Sequence, residues 1–320
     1  MERQISLRRL CEDLRGELQW QCLCQPGEDD HLGGDLLAED DAGGAALVGF
    51  FNFIRPYPVQ IAGDCELAYL RAHPQAMEQF LSPKLRLLII CEGQTLEEHF
   101  HSDLNARHIA TMTTPAAAKG VLARVQHYLH RELAPRQQVH GVLVDVLGVG
   151  LLLQGEVGIG KSELALELVS RGHRLVADDS VLCLREAPNI LTGHCPAALQ
   201  NFLEVRGLGI VNIREFFGAA AIVRSKRIRL VVEIRDMSDT EMANIDRLQG
   251  KVDHLDILGI QLPRLCLPVS AVRNLAVLVE AAVRNHILMT RGIDSTRDFI
   301  ARQAAAMRMG DPADRDPGGG

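Results

Sequence analysis

A chain of 320 residues that is 47% hydrophobic and 23% charged has room for two domains with sizeable cores, and its composition is that of an ordinary globular protein. A formal net charge of −7 disfavours binding to bulk nucleic acid, and no apolar run approaches the roughly 20 residues of a membrane span. The eight cysteines (11, 22, 24, 65, 91, 183, 195 and 266) form no C-x-x-C pair. Cys91 and Cys183 lie in apolar runs that suit small core residues, and the expectation is a reduced cytoplasmic protein.

Residues 4 to about 20 read as a helix along which Ile5, Leu7, Leu10 and Leu14 recur. The acidic, glycine-rich residues 26–41 read as a loop, 48–54 as a strand broken by Pro56 and Pro58, and 66–71 as a short helix. Residues 85–91 read as a buried strand closed by a turn at Gly93, and 108–112 as another strand. Alternating strand and helix makes residues 1–133 a small N-terminal α/β domain, in which no catalytic motif stands out. His99 and His101 are only two positions apart with no further ligands beside them, so they read as solvated histidines rather than a metal site. Ala118–Leu133 is a helix with Val121, Leu122, Val125 and Leu129 at helical spacing, and residues 134–138 are the candidate linker.

From residue 139 the composition changes. Residues 139–146 read as a strand, Gly148 as a tight turn, and 149–154 as a second strand. That strand runs into Gly155-Glu156-Val157-Gly158-Ile159-Gly160-Lys161-Ser162, the spacing G-x-x-x-x-G-K-[ST] of a phosphate-binding loop. Glycines let backbone N–H groups curl toward a phosphate chain, and the following helix adds its positive N-terminus. Lys161 can reach the β- and γ-phosphates, and the Ser162 hydroxyl can ligate Mg²⁺. Residues 162–171 read as that helix, with Leu164, Ala165, Leu168 and Val169 on one face and Gly172 where a C-terminal glycine belongs.

Next comes an apolar strand ending in Asp178 and Asp179. A β–α–β crossover places it parallel to the loop strand, with its end at the same sheet edge. One aspartate can then hold a metal or its water while the other accepts a proton from a hydroxyl nucleophile. In residues 203–212, Glu204 and Arg206 share one face if the segment is a strand. The pair suits either a metal and a phosphoryl group or a structural ion pair beside the bend at Gly207. Residues 227–234 alternate like a half-exposed strand. Arg247 lies in a polar segment, 242–251, where a solvated arginine is the plain alternative to a functional one. Residues 265–269 read as a strand, 272–289 and 295–309 as helices, and 310–320, rich in Gly, Pro and Asp, as a disordered tail.

Taken together, Val139-His140-Gly141, the loop with Lys161-Ser162-Glu163, Gly172-His173-Arg174-Leu175 through Asp178-Asp179, and Leu203-Glu204-Val205-Arg206-Gly207-Leu208-Gly209-Ile210 resemble the HPr kinase/phosphorylase family. Leu267-Pro268-Val269 followed by Arg273-Asn274-Leu275 continues the match, so the motifs cover residues 139 to about 290 in order. Val157 departs from the serine the family often carries inside the loop. The resemblance implies a P-loop catalytic domain over residues 134–309, related to the nucleotide core of phosphoenolpyruvate carboxykinases, assembling as a homohexamer. It implies ATP- and Mg²⁺-dependent phosphorylation of a serine in the phosphocarrier protein HPr, and removal of that phosphate by phosphorolysis, in which inorganic phosphate attacks and pyrophosphate leaves. The implied setting is control of carbon metabolism and the phosphotransferase system, with neither nucleic acid nor membrane as partner. Position by position, it implies catalytic roles for His140, Lys161, Asp179 and Arg247, with Asp179 accepting the proton forward and donating it in reverse. It implies Mg²⁺ ligation by Ser162 and Glu204. Residues 203–212 match the segment needed in both directions, and 268–273 the one tied to dephosphorylation. Two other readings share the loop: a kinase of a small molecule, against which Glu204-Val205-Arg206 and the Pro268 segment speak, and a nucleotide-sensing module without turnover, against which Lys161 and Asp179 speak.

Overall fold

The computed structural model describes residues 4–33, 47–50, 52, 56–81, 83–237, 252–269 and 274–308. The chain divides into two compact mixed α/β units, residues 1–135 with 186–188, and residues 136–185 with 189–320.

In the first unit, strands Val48–Phe50, Val59–Ala62, Leu87–Ile90 and Ala110–Thr113 lie parallel in that spatial order, and Gln21–Cys24 pairs antiparallel with the last of them. Residues 87–90 are apolar at every position because both faces are covered, the pattern of a parallel sheet. Leu87 and Ile89 meet helix Ala118–Leu133 and the N-terminal helix on one side, while Leu88 and Ile90 meet helices Asp64–Ala72, Pro74–Phe80 and Glu98–Ala106 on the other. Cys91 is buried there, as its apolar run implies, and burial pushes its thiol up to about 12.

The N-terminal helix does not begin at residue 4. Gln4–Ser6 is a strand, paired antiparallel with His31–Gly33 inside the segment read as a loop. Ile5 faces Leu32 across this pair, and the Ser6 hydroxyl accepts from Arg9 N at 3.3 Å, which caps a helix starting at Leu7. That helix ends at Asp13, a short turn of helix follows over Arg15–Leu18, and Gln19 then turns left-handed with φ of 50°.

The second unit is built on a nine-stranded sheet. Strands Val142–Val146 and Val149–Gly155 form a hairpin closed by Leu147 and Gly148, both at positive φ as a two-residue turn requires. Residues 142–153 of this hairpin bury alternate side chains on opposite faces. Leu151, Leu152 and Leu153 are wholly buried, each worth roughly 1.5–3 kcal/mol, and together they fix where the segment after them emerges. Helix Lys161–Ser170 covers one face through Leu164, Ala165, Leu168 and Val169, and helix Leu275–Thr290 adds Ala276, Val279 and Val283. The first of these helices ends in a Schellman arrangement: Gly172, φ 94°, donates to Val169 O at 2.9 Å and His173 donates to Leu168 O at 3.1 Å.

Two further sequence expectations need correcting here. Residues 134–138 are not all linker: Arg136–His140 is a strand at the end of the sheet, paired antiparallel with residues 180–184. Its arginine and glutamines suit a strand at the end of a sheet, where polar side chains are common. Residues 139–146 are not one strand, because Gly141, at φ of 152°, separates Arg136–His140 from Val142–Val146. Strand Arg174–Ala177 runs in the same direction as the loop strand, as the crossover implies, with antiparallel Val142–Val146 between them. The hairpin turn at Leu147-Gly148 inserts that intervening strand before the crossover begins.

Candidate active site

The phosphate loop leaves the sheet at Gly155 and enters the helix at Lys161. Gly155, Gly158 and Gly160 all hold positive φ. At Gly155 the backbone is also crowded, since a Cβ would stand 2.5 Å from Ile234 O. Glu156 and Val157 form the exposed crest, Val157 with 88% of its surface accessible, and Ile159 packs back against the core. The Lys161 side chain is buried, and its ammonium donates to Gly155 O at 2.9 Å and Glu156 O at 2.8 Å. The cation therefore sits inside the curl of the loop on two neutral carbonyls.

Asp178 is the joint of the site. It follows strand Arg174–Ala177, is buried, and receives the Ser162 hydroxyl on Oδ1 at 3.0 Å and the Glu204 backbone N–H on Oδ2 at 2.9 Å. Burial raises its pKa above the ordinary carboxylate range; the donors from Glu204 and Ser162 oppose that, and the neighbouring Asp179 charge contributes least. One carboxylate thus ties the start of the loop helix to strand Phe202–Val205.

Asp179 has the opposite environment. It adopts a left-handed φ of 61°, and its side chain is 74% exposed. Its Oδ1 lies 3.1 Å from His140 Nδ1, and its carbonyl accepts from Gly141 N at 3.1 Å. The strand pairing of His140 with Ser180 fixes this arrangement.

Glu204 is exposed on strand Phe202–Val205, which forms a hairpin with Gly209–Asn212. Arg206 does not share that strand face, because it lies in the turn beyond Val205. Its guanidinium reaches the phosphate loop instead, with Nη2 3.3 Å from where a Cβ on Gly158 would stand. Arg247 lies outside the described residues, as do residues 270–273; Pro268 ends the strand beginning at Ile260.

The structure thus gathers Lys161, Ser162, the loop, Glu204 and the aspartate pair, with His140 on Asp179. Sequence reasoning left two things unassigned: that Asp178 bridges Ser162 to the Glu204 backbone, and that Arg206 meets the loop. The i, i+2 spacing of Glu204 and Arg206 hid the second, since it holds only while the strand continues. Among the described residues no three His, Cys, Asp or Glu side chains cluster as a metal site, His101 included. The oxygen groups of Ser162 and Glu204 beside a phosphate loop suit Mg²⁺, which commonly takes one or two protein oxygens and fills its shell with phosphates and water. No described helix is long and apolar enough to cross a membrane.

Residues 131–303 match the HPr Serine kinase C-terminal domain, and residues 5–129 match the HPr Serine kinase N terminus. The chain belongs to the HPr serine kinase family. An HPr kinase/phosphorylase of Azoarcus sp. (strain BH72) is 42% identical over 319 residues, spanning 97% of this chain and 98% of its own. One of Bordetella avium (strain 197N) is 40% identical over 308 residues, spanning 95% and 98%. Among solved structures, the Hpr(Ser) kinase/phosphatase from Coxiella burnetii is 34% identical and superposes with a TM-score of 0.44, covering 48% of this chain and 99% of that one.

Proposed function

We propose that this chain transfers the γ-phosphoryl group of ATP to a serine of the phosphocarrier protein HPr and also removes it by phosphorolysis. The observation that carries the reading is Asp178 joining Ser162 of the phosphate loop to the backbone of Glu204. That bond brings the general motif of nucleotide enzymes together with the hairpin distinctive of the HPr serine kinase family. Supporting it are the relatives named HPr kinase/phosphorylase along nearly the whole chain.

In the forward direction the serine oxygen bonds to the γ-phosphorus, the bond from that phosphorus to the β,γ-bridging oxygen breaks, and the serine proton passes to the Asp179 carboxylate. His140 positions that carboxylate through its contact at 3.1 Å. Lys161 and the loop N–H groups hold the phosphates, and Arg206 adds positive charge at Gly158. In reverse, an oxygen of inorganic phosphate bonds to the phosphoserine phosphorus, the bond to the serine oxygen breaks, Asp179 returns the proton to it, and pyrophosphate leaves. Ser162 and Glu204 are the residues that would hold Mg²⁺, which when bound offsets phosphate charge. Arg247 belongs to the same catalytic set by its place in Ile245-Asp246-Arg247-Leu248.

The same reading assigns catalysis to a P-loop domain over residues 134–309, related to the phosphoenolpyruvate carboxykinase core and assembled as a homohexamer. It places the protein in the cytoplasm, in control of the phosphotransferase system and carbon metabolism. The test is purified protein with HPr, run forward with labelled ATP and backward with phosphoserine-HPr and phosphate. Label on an HPr serine and pyrophosphate in the reverse arm are the expected products. Phosphorylation of a small molecule but not HPr, or release of phosphate without pyrophosphate, refutes the corresponding half.

A further inference from the structure

Outside this site, the N-terminal unit carries a cleft that the phosphoryl chemistry does not use. In an open α/β sheet, two adjacent parallel strands whose following helices go to opposite faces leave a crevice at their carboxyl ends, the usual place for a ligand. Leu87–Ile90 and Ala110–Thr113 are such a pair. The helix after the first, Glu98–Ala106, packs through Phe100 and Leu104 on the face of Leu88 and Ile90. The helix after the second, Ala118–Leu133, packs through Val121 and Val125 on the face of Leu87 and Ile89. A cleft of about 630 Å³ opens at this point, within the size range of small-molecule sites.

Its floor is preformed. The two loops are tied to each other by Glu92 N to Ala116 O at 3.0 Å and Gly93 N to Thr114 O at 3.1 Å. Glu92 and Gly93 both hold left-handed φ, 62° and 65°. The Glu92 carboxylate accepts from Asp64 N at 2.9 Å and Ala118 N at 3.4 Å, anchoring the loop to the starts of two helices.

The lining defines a ligand class. Gln21, Gln94 and Thr95 offer side chains that both donate and accept hydrogen bonds, and Thr113, whose hydroxyl donates to Gln21 O at 3.4 Å, adds an acceptor. His101, held by Asn105 Nδ2 at 3.1 Å from its Nδ1, adds ring nitrogens that can donate or accept. Glu98 is an acceptor, and among the described residues no lysine or arginine lines the cleft. A phosphate or carboxylate would meet Glu98 with no cation to offset it. We propose that this cleft binds an uncharged polyhydroxylated small molecule, a sugar or sugar alcohol, whose hydroxyls match groups that both donate and accept.

The test uses the full-length protein and saturation-transfer NMR followed by calorimetry. The probes are glucose, galactose, N-acetylglucosamine, mannitol and inositol, each beside its monophosphate ester. At least one uncharged probe should bind saturably and its ester at least about tenfold more weakly. Gln94→Ala and His101→Ala should each weaken binding about tenfold, the worth of one good hydrogen bond. Thr95→Trp should block it by filling the cleft. Lys161→Ala, in the other unit, should leave it unchanged, and an unaltered melting temperature in each cleft variant checks that folding is intact. No saturable binding by any uncharged probe, preference for the esters, or binding that follows Lys161 rather than the cleft residues overturns the proposal.

Discussion

Replacing Asp178 by alanine and by asparagine separates the structural work of this carboxylate from its charge. Alanine leaves the Glu204 N–H and the Ser162 hydroxyl without their acceptor. An orphaned buried donor costs about 1–3 kcal/mol, and the serine hydroxyl can rotate elsewhere, so the backbone N–H dominates. Part of that is recovered, because burial already disfavours the charged carboxyl. The net expectation is a loss of about 1–2 kcal/mol, which in a domain of this size lowers the melting midpoint by about 2–4 °C per kcal/mol. Asparagine has the same shape. Its oxygen can take the Glu204 N–H while its amino group donates to Ser162 Oγ, so both bonds survive and the desolvation cost of a charge is removed. Its midpoint should lie within about 3 °C of the parent, since at most about 1 kcal/mol is at stake. Scanning calorimetry of the three proteins measures this. An alanine variant as stable as the parent, or an asparagine variant as weak as the alanine one, refutes the bridging role.

The other predictions concern geometry, pH and catalysis. Gly141→Ala forces a side chain onto φ of 152° with its Cβ 2.6 Å from Leu153 O, and should cost roughly 2 kcal/mol or more in denaturant unfolding; an unchanged midpoint contradicts this. Glu280 accepts from Arg171 at 2.8 and 2.9 Å and contacts His173 at 2.9 Å, and these partners, Arg171 foremost, hold its carboxyl at about 2 against an ordinary 4.5. The stability it contributes is full above about pH 4.5 and lost as pH falls through about 2, so Glu280→Gln should flatten acid unfolding in that window, and identical acid limbs would rule this out. Lys161→Ala should slow both directions on the order of a hundredfold, since both pass a phosphoryl group through one loop; near-normal rates in the HPr assays speak against it. Asp179→Asn should hold nucleotide affinity within a few fold while both activities fall together, and loss of only one would mean that separate residues handle the proton.

Much of the second unit was legible because its signals are local. The loop spacing, Gly148 in a two-residue turn and Gly172 at a helix end each follow from what the backbone demands at that point. Helix Ala118–Leu133 was readable because one face of a helix on a sheet repeats every three or four residues. Several of the misreadings involve partners distant in sequence. Ile5 fits a helical repeat as well as a strand, and only its pairing with Leu32 decides. Arg136–His140 is polar enough to pass for linker because it ends the sheet, with residues 180–184 the one described strand paired to it. The strand inserted between Val149–Gly155 and Arg174–Ala177 has no signature in either segment. The hairpin that creates it does, in Leu147 and Gly148, but a turn does not say on which side its strand will lie.

The two aspartates show why that insertion does not scatter the site. Strands Arg174–Ala177 and Val149–Gly155 still point the same way, so their ends reach the same edge, one strand-width further apart. Asp178, the first residue past its strand, spans that gap by bonding to Ser162. The chain then reverses sharply, with Ser180 N donating to Asp178 O at 2.6 Å and Asp179 at left-handed φ. Consecutive side chains are thereby sent in opposite directions, one into the protein and one out. A carboxylate with both oxygens occupied by protein donors is poorly placed to take a proton from anything else. Its neighbour, exposed and held by His140, is open to a hydroxyl presented on the surface of another macromolecule. On the proposed reading, the division of work between Asp178 and Asp179 follows from which of them the turn buries, and exchanging a fixed carboxylate for a free one at either position would undo both roles.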